Sequence, residues 1–449
     1  MARADRTARL TLFAAVAGWA TGFSVLSIER HRAFETGRFD LGNMVQAVWS
    51  TAHGRPLEVT NLAGEQTSRL GSHVDPILAV FAPLWLAWPS PDVLVVSQAL
   101  AVALGALPVF WLARKHLGSE PAGLAFALAY LLLPATEWLT LNEFHPVALA
   151  CPLLLYAFWS LDEGRLLPFA VFAFLAATTK EEVALVVAGF GVWSAVARGR
   201  RSAGAAIAAL GIAASAIAVW VVVPHYHGGA SPYASRYSLG NVPDVFDGHH
   251  LGYLADLLVP LGGLWLAAPL VLVAALPELA LNLLSSNRHQ SSIHFHYVAG
   301  VIPPLVAASV LGAAAIARRR PRLLRPLGVF AAVVALASNA RLGALPFWTK
   351  LDTTVTTHDR IAEQGLRLVP KDAPVSATNT LGAHLSARRR ILSFPKLADA
   401  TWVVADERKL SYLDSNKVRP AKAALAELRR NPDWRLVFGR DGILVFRKS

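Results

Sequence analysis

Cysteine, methionine and charged side chains are scarce in this sequence. The chain has one cysteine and two methionines among 449 residues, and 16% of its residues are charged, against about 25% in soluble domains. The lone Cys151 makes no intramolecular disulfide and lies in an apolar run, where we expect a small core residue. The low charge density is not typical of a soluble globular protein.

Three common motifs of nucleotide and ester chemistry are also missing. The sequence contains no P-loop, no G-x-G-x-x-G after a strand and no G-x-S-x-G. A nucleotide-driven pump is therefore not indicated, and energy must come from a substrate or from a gradient. No cleavable signal peptide is expected, because the first apolar run is about as long as a membrane span and no A-x-A-like site closes it.

Long apolar runs dominate the rest of the sequence. Hydrophobic residues make up 54% of the chain, and the mean hydropathy is +0.43. They form blocks separated by short polar or basic breaks, which is typical of a polytopic α-helical membrane protein. We predict about eleven spans, at residues 10–28, 93–113, 121–139, 146–161, 165–178, 183–197, 203–223, 254–266, 268–284, 298–317 and 323–340.

Basic residues indicate the orientation of these spans. Clusters of arginine, lysine and histidine precede the first span and follow the second, sixth and tenth. With a cytoplasmic N-terminus, all four clusters face the cytoplasm, as the positive-inside rule requires. Segment 74–89 fits this topology as a helix that lies in the outer interface or dips into it. The net charge of +12 thus reflects topology, and we expect no nucleic-acid partner.

The topology predicts two domains in a cell inner membrane protein. Residues 1–350 form a transmembrane domain with a long first outer loop, 29–92, that carries juxtamembrane helices. Residues 351–449 form an extracytoplasmic α/β domain. Within it, "DAPVSATN" and "TWVVAD" predict strands, "PAKAALAELRR" predicts a helix, and "WRLVFGRDGILVFRK" predicts a hairpin with a Gly-Arg-Asp-Gly turn.

Ionisable residues gather in the predicted outer segments. Because such residues are costly at membrane depth, they are functional candidates. The candidates are Asp40, Arg69, His73 and Asp75 in the first loop, Glu143 and His145 in "TLNEFHP", Lys180 in "TKEE", and Arg288, His294 and His296 in a later loop.

Several candidates also have structural explanations. Asp40 could cap a helix that begins at residue 41, and Lys180 could extend its ammonium group to the interface from between two apolar runs. The pairs His73-x-Asp75, Glu143-x-His145 and His294-x-His296 could instead hold a divalent cation such as Zn, Mn or Fe. This cation is the only cofactor that the pattern suggests.

The sequence resembles a known family along nearly its whole length. The resemblance rests on "FDLGNMVQAVWSTAHGRP", "GSHVDPILAVFAPLW", "LNEFHPVALACPLLLYAF", "TTKEEVAL", "ALPELALNLLSS", "HFHYVAGVIPPL" and "PVSATNTLGAHLSARRRILSFP". Together these look like the DUF2079 family of bacterial membrane proteins. That family is similar in layout to the GT-C glycosyltransferases, which have many spans, an acidic first outer loop and polyprenyl-phosphate-linked sugar donors.

The resemblance implies roles for two residues. The GT-C catalytic acid falls on Asp40 in "RFDLG", and the "TK" turn of several GT-C enzymes falls on Lys180. Many GT-C members have a second acid in this loop, whereas Asp40 stands between Phe39 and Leu41. A single-base inverting mechanism is therefore favoured over a metal-dependent one. The implied partners are a polyprenyl-phosphate-linked sugar and membrane lipids.

Three functions remain open from the sequence. The first is transfer of a sugar from a polyprenyl-phosphate donor to an envelope acceptor on the outer face, with Asp40 as general base. Arg69, His73, Glu143, His145, Lys180, Arg288, His294 and His296 would bind substrate or phosphate. The second is a transporter or flippase for a lipid-linked or small polar substrate. The third is a non-catalytic scaffold for envelope assembly.

Overall fold

The computed structural model describes residues 2–237, 239–410 and 421–449. These ranges are mainly helical. Their α-helices are α1 (Ala2–Arg32), α2 (Asn43–Ala52), α3 (Ala82–Ala87), α4 (Asp92–Leu104), α5 (Ala106–Leu117), α6 (Glu120–Leu131), α7 (Pro134–Leu141), α8 (Ala150–Asp162), α9 (Leu166–Ala177), α10 (Val183–Ala197), α11 (Arg201–Ile217), α12 (Val223–His227), α13 (Gly248–Leu258), α14 (Leu276–Leu284), α15 (Ile302–Arg319), α16 (Leu324–Leu342), α17 (Thr357–Leu366), α18 (Asn379–His384) and α19 (Ala421–Leu428).

Strands occur in the first predicted loop and near the C-terminus. They are β1 (Glu58–Thr60), β2 (Gln66–Ser68), β3 (Val375–Ala377), β4 (Ile391–Ser393), β5 (Trp402–Asp406), β6 (Trp434–Arg440) and β7 (Ile443–Lys448). β1 and β2 form a small antiparallel pair, and the other five form one sheet in the order β4-β3-β5-β7-β6.

The long apolar helices confirm a multi-pass membrane protein. In the described ranges, five helices are long and apolar enough to cross a bilayer, at Asp5–Arg32, Asp92–Leu117, Arg201–His227, Ile302–Arg319 and Pro321–Phe347. A sixth candidate is the pair α6 and α7, which bends by 48° at its break. The predicted spans 146–161, 165–178 and 183–197 are apolar helices of fewer than 18 residues.

Two predicted spans, 254–266 and 268–284, are wrong as continuous helices. The chain here forms α13, three short 3₁₀ helices and α14. Gly262 and Gly263 both have positive φ, at 62° and 68°, which ends a right-handed helix. Pro269 and Pro277 restart the chain at new helical first turns, a position that proline favours.

Several helices expose apolar side chains over much of their surface. Leu167 is 77% exposed in α9, Leu210 is 71% exposed in α11, and Val329 is 63% exposed in α16. In water such faces would be unusually large apolar patches. They fit a hydrocarbon environment, which agrees with the length and hydropathy of these helices.

The chain divides into two compact units. The helical unit comprises residues 1–24, 71–77 and 96–348, and the loop-and-sheet unit comprises 25–70, 78–95 and 349–449. The sequence did not predict that first-loop segments share a unit with the C-terminal residues. The predicted division at residue 350 stays a prediction.

The C-terminal sheet confirms the predicted α/β domain. β3 is parallel to β4 and β5, whereas β7 is antiparallel to β5 and β6. Alternate strand residues pack to opposite faces: Val404 and Val445 lie in one core with α17 and α18, and Val403 and Phe446 in another with α19. The predicted helix is Ala421–Leu428, with Pro420 outside the described residues.

Candidate functional site

Asp40 lies in a short π-helix, Arg38–Gly42, which we call the Asp40 turn. The turn closes with a hydrogen bond from the backbone N of Gly42 to the O of Gly37, 3.0 Å long, and runs directly into α2. Gly37 occupies the N-cap position. The expectation that Asp40 caps a helix beginning at residue 41 is therefore wrong, because Asp40 already lies within the helical segment.

A buried arginine anchors the start of the Asp40 turn. Arg38 is 2% exposed, and it donates hydrogen bonds to the carbonyl oxygens of Thr60 (2.7 Å) and Ile391 (2.8 Å) and to the Ser393 hydroxyl (2.8 Å). Burial lowers its pKa to about 10. The guanidinium group thus joins the turn to the sheet through oxygens rather than through a buried carboxylate.

Arg69 lies near the same turn, in the loop-and-sheet unit. It is 5% exposed, and its Nη1 donates to Asn43 Oδ1 at 3.1 Å. Asn43 is the first residue of α2, directly after the turn. The structure therefore brings Arg69 to the segment that carries Asp40.

Lys180 occupies a tight turn between α9 and α10, in the helical unit. Its Nζ lies 2.6 Å from Glu182 Oε1 and 5.2 Å from the centre of the Tyr297 ring. Burial lowers the pKa of Lys180, but the carboxylates of Glu182 and Glu181 outweigh burial, and the net shift is upward. Lys180 is therefore a permanently charged ammonium group held between acids and an aromatic face.

His73 contacts the neighbouring acid of the same turn. Its Nδ1 lies 2.9 Å from Glu181 Oε1, and the backbone N of Val74 donates to Glu181 Oε2 at 3.0 Å. Burial raises the pKa of Glu181, but the facing His73 and Lys180 outweigh it and lower the pKa to about 2. His73 also stacks on Tyr233, with ring centres 4.7 Å apart.

Two further candidate histidines stack on each other. The ring centres of His145 and His296 are 3.7 Å apart. Both contact Asn142: His145 Nδ1 lies 2.7 Å from the Asn142 backbone oxygen, and His296 Nδ1 lies 3.1 Å from Asn142 Oδ1. The ring centres of His296 and Tyr297 are 4.1 Å apart. The polar cluster of the helical unit thus extends from His73 through Lys180 and Tyr297 to the histidine pair.

Glu143 is next to this cluster in an unusual backbone conformation. Its φ is +51°, and its carbonyl accepts a 2.5 Å hydrogen bond from the buried Gln98 amide, which also accepts from the backbone N of His145 at 2.9 Å. A buried amide that satisfies both donors and acceptors can hold such a turn. Gln98 therefore fixes the "NEFH" turn, a role that its position in an apolar run concealed.

Two candidates make their contacts elsewhere in the helical unit. Arg288 pairs with Asp247 at 3.3 Å, with its side chain 70% exposed. His294 lies against Trp138, with ring centres 4.8 Å apart.

Asp75, a candidate metal ligand, is 1% exposed. Within the described ranges, no three His, Cys, Asp or Glu side chains group together as a metal site would require.

Glu278 is a site residue that the sequence analysis missed. It is 3% exposed, and it lies within electrostatic range of Glu182 and Lys180. In the part of the chain that the structure describes, its Oε2 has no hydrogen-bond partner. The missed signal was an acid within an apolar run, which is itself a functional indicator.

Each unit has its own candidate chemistry. The loop-and-sheet unit presents the Asp40 carboxylate on an anchored turn, and a carboxylate can accept a proton. The helical unit presents the Lys180 ammonium group, which can bind a phosphate. Tyr233, Tyr297 and the histidine rings give this second cluster flat faces of the kind that line sugar and aromatic sites.

The fold is that of a multi-pass α-helical membrane protein. The chain belongs to the DUF2079 family, described as "Predicted membrane protein (DUF2079)", whose profile matches residues 30–445. No curated protein matches the chain in sequence.

Solved structures of ArnT from Cupriavidus metallidurans have a similar fold. The form bound to undecaprenyl phosphate has a TM-score of 0.55 and 14% identity, covering 96% of this chain and 98% of that chain. The apo form has a TM-score of 0.54 and 14% identity over the same shares. At this identity the likeness shows the fold, which extends over both units.

Proposed function

We propose that this protein transfers a sugar from a polyprenyl-phosphate-linked donor to an acceptor hydroxyl. The observation that carries the proposal is the similarity of the fold to ArnT over 96% of the chain. The ArnT structure in this comparison is bound to undecaprenyl phosphate. The chain also has an acid in its first loop and a lysine in the turn between α9 and α10.

Asp40 is the general base of the proposed reaction. The acceptor oxygen attacks the anomeric carbon while Asp40 takes the hydroxyl proton. The bond from that carbon to the phosphate oxygen breaks, the configuration inverts, and polyprenyl phosphate leaves. The leaving phosphate gains negative charge, which the Lys180 ammonium group stabilises. The remaining candidates, Arg69, His73, Glu143, His145, Arg288, His294 and His296, would bind the sugar or phosphate.

A transfer assay tests the enzyme directly. The purified protein in proteoliposomes receives a panel of undecaprenyl-phosphate-linked radiolabelled sugars, with envelope extract as the acceptor. We expect release of undecaprenyl phosphate together with labelled acceptor for at least one donor. If label crosses the bilayer with its phosphate bond intact, the protein is a transporter instead. If neither occurs with any donor, the transferase proposal fails.

We also propose an inner-membrane location with residues 351–449 outside the cytoplasm. The basic clusters support this orientation, because they fall on one side of the predicted spans. Alkaline phosphatase fused after Ser449 should be active, and a reporter that needs the cytoplasm should be inactive. The opposite pattern would place the C-terminal domain, and any site associated with it, on the cytoplasmic side.

A further inference from the structure

We propose that Asn379, in the C-terminal sheet domain, is a positioning residue for the Asp40 turn. The inference rests on the proposed function, because Asn379 acts through the proposed base. All residues involved belong to the loop-and-sheet unit. Through Asn379, the C-terminal domain would contribute to the reaction indirectly, by positioning the base rather than by contacting the substrate.

The central contact is a hydrogen bond to the residue before Asp40. Asn379 Oδ1 accepts from the backbone N of Phe39 at 3.3 Å. The first N–H groups of a helix lack partners within the helix, and Phe39 is the second residue of the Asp40 turn. Asn379 therefore provides a cap from more than three hundred residues away in the sequence, and it orients the peptide that leads into Asp40.

Glycines allow the two segments to approach this closely. A Cβ on Gly37 would lie 2.6 Å from Asn379 Nδ2, and a Cβ on Gly42 would lie 3.2 Å from the Ala383 Cα. Neither position has room for a larger residue without a shift. Glycine therefore stands at both ends of the Asp40 turn where α18 packs against it.

Further contacts join the same two parts of the chain on both sides of Asn379. A Cβ on Gly382 would lie 3.0 Å from the Arg38 Cβ, and the Arg38 guanidinium group reaches the Ile391 carbonyl. In α2, Gln46 Nε2 donates to the Arg389 carbonyl at 2.8 Å. C-terminal residues thus fix the chain on both sides of Asp40.

The π-turn sets the direction in which the Asp40 carboxylate points, so holding the turn matters for the proposed reaction. A π-turn is rare and holds one more residue than an α-turn. Because an α-helix rotates by about 100° per residue, relaxation to an α-turn would swing Asp40 around the helix axis relative to α2. The hydrogen bond that Asn379 accepts from the Phe39 N–H holds the peptide before Asp40 in the π-turn, and hence favours one direction of the carboxylate.

Three variants of the full chain in nanodiscs test the inference. Asn379→Ala removes the acceptor, whereas Asn379→Asp retains an oxygen there. Asn431→Ala is the matched control, because Asn431 Oδ1 also accepts a backbone hydrogen bond in this domain, from Asp433 N at 2.9 Å. Turnover is measured with the undecaprenyl-phosphate-linked sugar that the wild type cleaves, and hydrogen exchange is measured on peptides covering residues 37–43.

Asn379→Ala should lower kcat about ten- to hundredfold, as expected for a misplaced catalytic group, with KM for the donor changed by less than about threefold. Its residues 37–43 should exchange faster, and Asn379→Asp should restore most of kcat. Asn431→Ala should match the wild type in both measurements.

Equal exchange in Asn379→Ala and Asn431→Ala would overturn the inference, as would equal kcat. If the wild type cleaves no donor, the proposed function fails, but the positioning inference is still decided by hydrogen exchange. Faster exchange in Asn379→Ala would then still support the positioning of the turn, and unchanged exchange would overturn it.

Discussion

At the scale of residues, the main question is how a lysine surrounded by acids can bind a phosphate. Lys180 has three donor hydrogens, and one is directed to Glu182 at 2.6 Å. The pKa of Lys180 is raised, so the group stays charged at any physiological pH. Glu182 holds the ammonium group in place and leaves donor capacity for a ligand.

Replacing Lys180 with alanine should therefore weaken donor binding. A charge-assisted hydrogen bond contributes about 1.5–3 kcal/mol, which corresponds to roughly ten- to hundredfold in Kd. Binding of undecaprenyl phosphate by the variant in nanodiscs measures the loss. Lys371→Ala, at an exposed position of the C-terminal domain, is the control. If both variants bind like the wild type, Lys180 has only an interfacial role.

His358 gives the C-terminal domain a pH-dependent contact. Its Nδ1 lies 2.9 Å from Asp441 and its Nε2 lies 2.8 Å from Asp406. Burial lowers the pKa of His358, but the hydrogen bonds to Asp406 and Asp441 outweigh burial and raise it above the ordinary value. A raised histidine pKa stabilises the fold fully below the unfolded pKa of about 6.5. This stabilisation is lost as pH rises through the folded pKa.

His358→Gln should accordingly destabilise the full chain at pH 6 and have much less effect at pH 9. Thermal unfolding in detergent across this range provides the measurement, with the exposed His227→Gln as control. A difference from the wild type that is constant with pH would show that the ion pairs contribute no linked stability.

At the scale of elements, helix packing in the helical unit depends on small residues. A Cβ on Gly204 in α11 would lie 2.5 Å from the Gly191 oxygen in α10, and a Cβ on Gly211 would lie 2.5 Å from the Ala184 oxygen. Close backbone contact at small residues is the usual means of helix association in membranes. The α10–α11 pair is therefore sensitive to added volume.

Gly204→Val should destabilise the protein by about 1–3 kcal/mol through overpacking. Gly22→Val in α1 is the matched control, because a Cβ there meets nothing within 4 Å. Thermal unfolding of both variants compares the same substitution in a tight and an open environment. Equal melting temperatures would mean that α10 and α11 separate without cost.

Elements with strong local patterns were predictable from the sequence. The hairpin β6–β7 follows from the apolar runs 436–438 and 443–446 on either side of Asp441 and Gly442, which both have the positive φ that such turns require. The Asp40 turn was not predictable, because an i to i+5 hydrogen bond leaves no periodic signature. The break at Gly262 and Gly263 was missed because mean hydropathy outweighed two adjacent glycines.

At the scale of the whole molecule, association of distant segments was the least predictable feature. Residues 25–70 join residues 349–449 in one unit, through contacts such as those of Arg38 with Ile391 and Gln46 with Arg389. Such pairings depend on hydrogen bonds to backbone carbonyls, which any residue provides. Glu278 was likewise concealed, because its proximity to Lys180 and Glu182 depends on the tertiary fold.

The Asp40→Asn variant tests the proposed chemistry most directly. Asparagine has nearly the same shape as aspartate and keeps one acceptor oxygen, but its amide cannot accept the proton of an acceptor hydroxyl at neutral pH. Loss of a general base costs about 10²–10⁴-fold in rate. Transfer by Asp40→Asn in proteoliposomes should fall at least about a hundredfold, with wild-type melting and retained undecaprenyl phosphate binding. Transfer at the wild-type rate would contradict Asp40 as the base.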